Sequence, residues 1–273
     1  MKTFLRLALL AVVSMPARAA DDPYRLGDWL LLERRYSEAE VEYERAALSL
    51  AGKPEQAVAA EKMFSAAAAM DRDDVALRIG RQWAMSSEGR VRCLAAFSVD
   101  QTLYRMANYP AILGDSWPQD CGSIMNDRHS YVQGLSRLWL RRWSDAATLF
   151  QSLSHESTLA DPARTAARRA PDGATISWKS PVLAASMSAA VPGAGYVYAD
   201  RPQTGAAAFV VNGLFIAGTV SAARSGQIGL AAVGALFSLA WYSGAIYGSA
   251  HAADRENQRR LARFIHPLEI QWQ

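Results

Sequence analysis

The sequence predicts an all-α chain: a helical-repeat segment followed by a C-terminal transmembrane helical hairpin, with two to three membrane helices in all. Three observations carry this. From residue 24 to about residue 158 the apolar residues recur at helical intervals, without β-branched runs or Asn-Gly turns. Residues 204–223 and 226–250 are uncharged runs, each long enough at about 1.5 Å per residue to cross roughly 30 Å of hydrocarbon. A charged first two-thirds gives way to an apolar, glycine-rich stretch after Ser180.

Composition narrows the function. With 51% hydrophobic and 20% charged residues in 273, the chain can bury a core and is not a disordered tail. A net charge of +3 is far from the basic stripe that counterion release from nucleic acid requires, so no nucleic-acid partner is expected. Two cysteines and four histidines leave few ligands for a metal, and neither a metal nor a cofactor is expected.

The first element is an address. MKTFLRLALLAVVSMPARAA places Lys2 and Arg6 before an apolar run over 7–13, then the small residues around Ala17 and Ala19. This is the order of a secretory signal peptide over residues 1–19, cleaved after Ala19. Export puts the adjoining segment in an oxidising compartment, where Cys93 and Cys121 can pair as a disulfide; spacing alone leaves free buried thiols as the alternative.

The next segment, 20–160, repeats itself. Gly27, Leu30, Ala39, Tyr43 and Ala46 share their offsets with Gly134, Leu138, Ala146, Phe150 and Leu153, apart from a one-residue shift at the leucine. Both units carry an aromatic, a serine and an acid at the turn, Tyr36-Ser37-Glu38 and Trp143-Ser144-Asp145, suited to starting a second helix. Gly27 and Gly134 lie 107 residues apart, roughly three repeats of about 34. Two weaker units are expected between them, over 54–85 with Ala76, Gly80 and Trp83, and over 92–117 with Ala111. The stretches YRLGDWLLLERRYSEAEVEYERAAL and VQGLSRLWLRRWSDAATLFQSL resemble the tetratricopeptide repeat, a helix-turn-helix unit with small residues where its two helices meet. The resemblance implies a stacked helical surface that binds a protein or peptide partner. It places partner contacts on Leu30, Glu33, Tyr36, Leu138, Arg141 and Arg142.

Residues 161–180, DPARTAARRAPDGATISWKS, read as a linker, with two prolines, an arginine cluster and a Pro-Asp-Gly turn. Trp178 and Lys179 form an interfacial pair. A membrane domain is expected over 181–252, its two long helices joined at Arg224-Ser225 as an antiparallel hairpin. Gly244 and Gly248 form a GxxxG suited to packing within that hairpin. Asn212 is a polar group at membrane depth that needs a partner, expected on the neighbouring helix.

Ahead of the hairpin, SAAVPGAGYVYADRPQTGAAAF resembles the Pro-Gly-x-Gly-x-x-Tyr signature of small bacterial membrane domains of unknown function, carried here by Pro192, Gly193, Gly195 and Tyr198. The resemblance implies architecture: a short first helix, a turn, then a hydrophobic hairpin. Those families more often carry Gln or His at the position of Tyr196 and Gly at that of Asp200, so no role of either side chain transfers. Gly193-Ala194-Gly195 lacks the third glycine of a dinucleotide cradle. Charge favours three crossings, with the arginines of the basic tail, 253–273, in the cytoplasm; two crossings leave that tail outside. The tail reads as a basic helix on the membrane surface.

No HExxH, Gly-x-Ser-x-Gly or Walker lysine is present, and no enzyme is expected. The leading expectation is a scaffold or adaptor of the bacterial cell envelope, anchored in the inner membrane with its repeats in the periplasm, serving envelope assembly or membrane-protein biogenesis. The alternative is a subunit of a small-solute transporter or channel in which Asn212 lines a path.

Overall fold

A computed structural model describes residues 22–269, and all its regular elements are helical. The signal peptide expected over 1–19 and the last four residues lie outside the described residues. The chain forms two compact units that divide between His129 and Ser130.

The first unit contains α1 (Arg25–Leu32), α2 (Tyr36–Ser49), α3 (Glu55–Ala69), α4 (Asp73–Ser86), α5 (Gly89–Arg105), α6 (Tyr109–Gly114) and the start of α7 (Gly122–Trp139). A recurrent turn joins several consecutive helices. Arg34, Asp71 and Ala107 all have a left-handed backbone, with φ of 58°, 54° and 54°. The Arg35 and Asn108 amides each donate back to a carbonyl five residues earlier, at 2.9 Å. This is the helix-ending arrangement normally given to glycine. Arg141, in the second unit, has the same φ of 58°, and the Arg142 amide donates to the Arg137 carbonyl at 2.8 Å. These four left-handed residues follow one another at 37, 36 and 34 residues, and Asp200, φ 60°, repeats the arrangement 59 residues further on, with the Arg201 amide donating to the Tyr196 carbonyl at 2.8 Å.

Local chemistry explains the glycines of the two strong units. A Cβ on Gly27 would sit 2.5 Å from the Tyr43 ring, and one on Gly134 would sit 2.5 Å from the Phe150 ring. In each case the aromatic of the second helix occupies the space that the missing side chain leaves on the first. Tyr43 and Phe150 are buried, as are Ala39, Ala46 and Ala146 beside them. Alanines 59, 60 and 66 with Met63 carry the core of the first unit onto α3, where Phe64 meets Trp83 edge-on at 6.5 Å. Cys93 and Cys121 are bonded, with Cα atoms 5.4 Å apart.

The second unit contains the end of α7, α8 (Trp143–Gln151), α9 (Ala160–Arg169), a 3-10 segment (Ala170–Thr175), α10 (Pro181–Ala190), α11 (Ala194–Tyr198), α12 (Pro202–Arg224) and α13 (Ile228–Glu269). Three expectations are corrected here. The stretch expected to be a linker is mostly helix. Ala160, Ala163, Ala166, Ala167 and Ala170 are buried, a helical stripe of small residues masked in the sequence by its prolines and arginines. Gly173 lies against the Trp143 ring, with no room for a Cβ.

Second, α10 has ten residues, about 15 Å, too short to cross a bilayer. The described residues contain two helices long and apolar enough to do so, α12 and α13. They run antiparallel through a turn at Gly226, φ 72°; Phe215 stacks on Phe237 and Trp241, and Thr219 meets Ser238 at 3.3 Å.

Third, the basic tail is no separate surface helix. It continues α13 for 42 residues in all, about 63 Å. Leu261, Ile265 and Leu268 on its last turns are buried. The Tyr131 hydroxyl donates to the Leu268 carbonyl at 2.9 Å, the Trp139 indole donates to Glu269 at 3.0 Å, and Phe264 packs edge-on against Trp143. These contacts place the end of α7, α8 and the far end of α13 in one unit, which is why the division falls well before the domain boundary expected at 160.

Candidate functional site

The apolar hairpin differs from a buried core helix by its exposure. In the most apolar window of α12 and of α13 only 11% is buried. Phe209, Leu214, Leu236, Phe237 and Leu239 are all exposed. Apolar faces of this extent are covered by something when the protein works.

At the base of the hairpin the Pro-Gly-x-Gly-x-x-Tyr residues form a tight crossing. Pro192 follows the end of α10. Gly193 is left-handed, φ 92°, and a Cβ there would run into the Gly205 carbonyl of α12. Gly195 abuts the Ala184 carbonyl of α10, and its amide donates to the Ser188 hydroxyl at 3.0 Å. A Cβ on Gly205 would lie 2.7 Å from the Gly193 carbonyl oxygen. Three backbones therefore meet with hydrogen-sized gaps. Contact requires glycine at both motif positions, and at Gly193 the backbone angle requires it as well. Ser249 of α13 donates to the Ala184 carbonyl at 3.1 Å, and the Tyr242 hydroxyl donates to the Ala189 carbonyl at 2.8 Å. Tyr198 accepts the Ser180 amide at 3.0 Å.

Next to this crossing lies a polar bracket on α13. Asp200 accepts from Lys179 at 3.2 Å and from Arg260 at 2.6 Å. Arg260 also donates to the Ser177 carbonyl at 2.6 Å and to Glu256 at 3.1 Å, and Arg263 reaches Glu256 at 2.9 Å. The Asn257 side chain accepts from the Lys179 amide and donates to the Lys179 carbonyl, both at 2.8 Å. The hydrogen bond from Lys179, with Arg260 adding to it against burial, holds the Asp200 carboxyl below its ordinary pKa. Of these residues the sequence marks Lys179 as interfacial, Asp200 as a departure from a family pattern, and Arg260 and Arg263 as arginines of the basic tail. Asn257 is paired with a residue 78 positions away, which no local periodicity encodes.

No family model matches the chain, and no curated protein or solved structure is significantly similar to it.

The residues expected to contact a partner divide. Leu30 and Leu138 are 4% and 0% exposed, so their side chains belong to the core, at the positions where the helical stripe faces inward. Glu33, Arg141 and Arg142 are exposed or partly so, and Tyr36 is half-buried. Arg142 pairs with Asp145 at 2.6 Å, and the Arg141 guanidinium lies 3.7 Å over the Trp178 ring. Trp178 is thereby a stacking partner within the unit rather than a free interfacial anchor.

The helix-packing residues divide as well. Gly248 is packed by the Tyr196 hydroxyl, whereas a Cβ on Gly244 would meet nothing within 4 Å, so the GxxxG does not bring two helices together along its length. Asn212 is 1% exposed, yet its amide nitrogen donates to the Ala208 carbonyl of its own helix at 2.8 Å and its Oδ1 has no partner. The bond expected to the neighbouring helix is absent.

In the first unit, Asp28 accepts from Tyr43 and from Lys62, both at 2.6 Å, tying α1 to α2 and α3. Burial raises its pKa, but the Lys62 and Tyr43 bonds outweigh it and hold the carboxyl below its usual value. Asp100 and His129 form a buried pair at 2.6 Å beneath the stacked ring of Trp117, 4.1 Å away. Burial raises the Asp100 pKa against the opposing His129 bond.

Proposed function

We propose that this chain is a membrane-tethered adaptor of the bacterial cell envelope: tetratricopeptide-type helical hairpins that bind a protein or peptide partner, held at the inner membrane by α12 and α13, with the hairpins in the periplasm. The observation that carries the repeat reading is the spacing of the left-handed residues Arg34, Asp71, Ala107 and Arg141 at 37, 36 and 34 residues, with the glycine-on-aromatic contact repeated in the first and last pairs. Exposed apolar side chains on both long helices support the tether. The disulfide supports an oxidising compartment.

On this reading the chain crosses the bilayer twice rather than three times. The far end of α13 is bonded to Tyr131 and Trp139, so the segment from 130 to 180 and the C-terminal end share one side of the bilayer. Arg259, Arg260 and Arg263, whose charge suggested the cytoplasm, are held in ion pairs with Glu256 or Asp200 inside the folded unit.

The adaptor reading is tested by photo-crosslinking in intact cells from Glu33 and Tyr36, each replaced singly by a benzophenone amino acid. A discrete adduct with one other protein, competed by the purified partner so identified, is the expected result. Adducts with lipid alone, or with no protein from either position, overturn it.

A further inference from the structure

The first unit carries an acidic groove. A space of about 750 Å³ lies between the C-terminal halves of α2 and α4 and the starts of α3 and α5, lined by Glu44, Leu48, Gln82, Trp83, Ser87 and Glu88 among others. No lysine or arginine is among its lining residues. The unit as a whole leans the same way: residues 22–129 hold 13 Lys and Arg against 17 Asp and Glu, whereas 130–273 hold 13 against 8. The Trp83 indole donates to Glu44 at 3.4 Å, which keeps that carboxylate at the wall.

One turn before Glu44, on the same face of α2, stands Glu40, 8% exposed and without a hydrogen bond or ion pair among the described residues. It does not line the groove, but its charge adds to that of Glu44 beside it. Burial, with the Glu44 charge adding, raises the Glu40 pKa against the pull of Arg78. A cation brought to Glu44 therefore relieves two carboxylates, one of them in a site where an uncompensated charge is costly.

The chemistry of the groove selects among occupants. An anionic lipid or nucleic acid is repelled, and a purely apolar segment leaves Glu44 and Glu88 unpaired. The carboxylates do not converge on a metal-sized point; the one such cluster among the described residues is Cys93, Asp120 and Cys121. A long cation with an apolar stem fits both wall types, since Leu48, Trp83 and Val91 lie beside the acids. The wall also suits a peptide backbone. Gln56 and Gln82 line it with amides that both donate and accept. Ser87 and Glu88 are extended, with ψ of 168° and 167°, and the amide and carbonyl of the peptide joining them make no hydrogen bond among the described residues.

We propose that this groove takes an extended segment of the partner polypeptide bearing a lysine or arginine, with Glu44 and Glu88 receiving the cation and Leu48, Trp83 and Val91 packing its alkyl stem. The proposal rests on the adaptor reading and names the chemistry of the partner that reading requires.

The test uses the full chain in phosphatidylcholine nanodiscs, empty nanodiscs as background, and capped fluorescent hexapeptide pools with one position fixed as lysine, norleucine or glutamate. The wild type is expected to bind lysine-fixed pools about tenfold more tightly than norleucine-fixed pools, the equivalent of one charge-assisted hydrogen bond. Glu44→Gln combined with Glu88→Gln should abolish the preference. Glu61→Gln combined with Asp71→Asn removes the same charge at exposed positions outside the groove and should keep it. Ser86→Trp, which fills the groove from an exposed position and keeps both carboxylates, should weaken every pool. Equal binding of lysine and norleucine pools by the wild type overturns the proposal, as does a preference that the groove variant retains or that the control variant loses equally. Binding that Ser86→Trp leaves unchanged places the peptide elsewhere and overturns it too. Spermidine bound where no pool binds assigns the acids to a free polyamine, with the same consequence. The adaptor reading fails separately, by the absence of protein adducts from Glu33 and Tyr36; adducts there with no lysine preference here would leave it standing and sink only this groove.

Discussion

Gly195→Ala probes the crossing beneath the hairpin. The added methyl would lie 2.7 Å from the Ala184 carbonyl carbon and 2.7 Å from the Ser188 hydroxyl. The first neighbour is backbone of α10 and cannot swing away, so α10 and α11 must separate. Such overpacking costs about 1–3 kcal/mol, and loss of the 3.0 Å bond from the Gly195 amide to Ser188 adds about 1 kcal/mol. The sum is about 2–4 kcal/mol. In a unit of this size each kcal/mol lowers Tm by roughly 2–4 °C, giving a fall of roughly 5–15 °C. The assay is thermal unfolding in nanodiscs followed by near-ultraviolet circular dichroism, with Gly244→Ala as the matched control, since its methyl meets nothing within 4 Å. Equal Tm values for the two variants would refute the argument that contact, rather than composition, fixes glycine in this motif.

Two further outcomes concern the first unit. Replacing both Cys93 and Cys121 with alanine opens a link between residues 28 positions apart and should lower stability by about 3 kcal/mol. The readout is a lower urea midpoint than that of the oxidised wild type, close to that of wild type reduced with dithiothreitol; a midpoint equal to the oxidised wild type would show that the bond does not stabilise the unit. Asp28 has a lowered pKa in the fold, so its contribution is present above its unfolded pKa near 4 and is lost as pH falls through the lower folded value. Because the Asp28 side chain is 42% exposed, that contribution is below about 1 kcal/mol. Asp28→Asn should flatten the stability profile below about pH 4; an unchanged acid slope would show that Lys62 and Tyr43 do not hold the carboxylate.

How much of this is legible in the sequence depends on the range of the interaction. The helical period of 24–158, the two apolar runs and the glycine-aromatic pairs are local patterns, and the helices, the hairpin and the close contacts at Gly27 and Gly134 obey them. The same period that marks Leu30 and Leu138 as repeat positions also buries them, so a motif leucine is a core residue and not a contact. Residues 161–175 look like a linker because prolines and arginines dominate the composition, while alanines at 160, 163, 167 and 170 set the packing. The tail's charge suggests a surface helix. Leu261, Ile265 and Leu268, three and four residues apart, are the stripe that docks it. Asn212 stands out as a polar group needing a partner; that its carbonyl finds none depends on which α13 residues face it. The bracket of Lys179, Asp200, Glu256, Asn257 and Arg260 joins Lys179 to Asn257 across 78 positions and Asp200 to Arg260 across 60, beyond any periodicity.

An apolar hairpin that crosses the bilayer and returns leaves the 130–180 segment and the end of α13 on one side, and the whole tether reading stands on that topology. Single cysteines at Ala174, Ser225 and His266, labelled in intact cells and in opened spheroplasts with a membrane-impermeant maleimide, report it. Positions 174 and 266 are expected to label from one side and position 225 from the other. Labelling of 174 and 266 from opposite sides, or of all three from the same side, would contradict it.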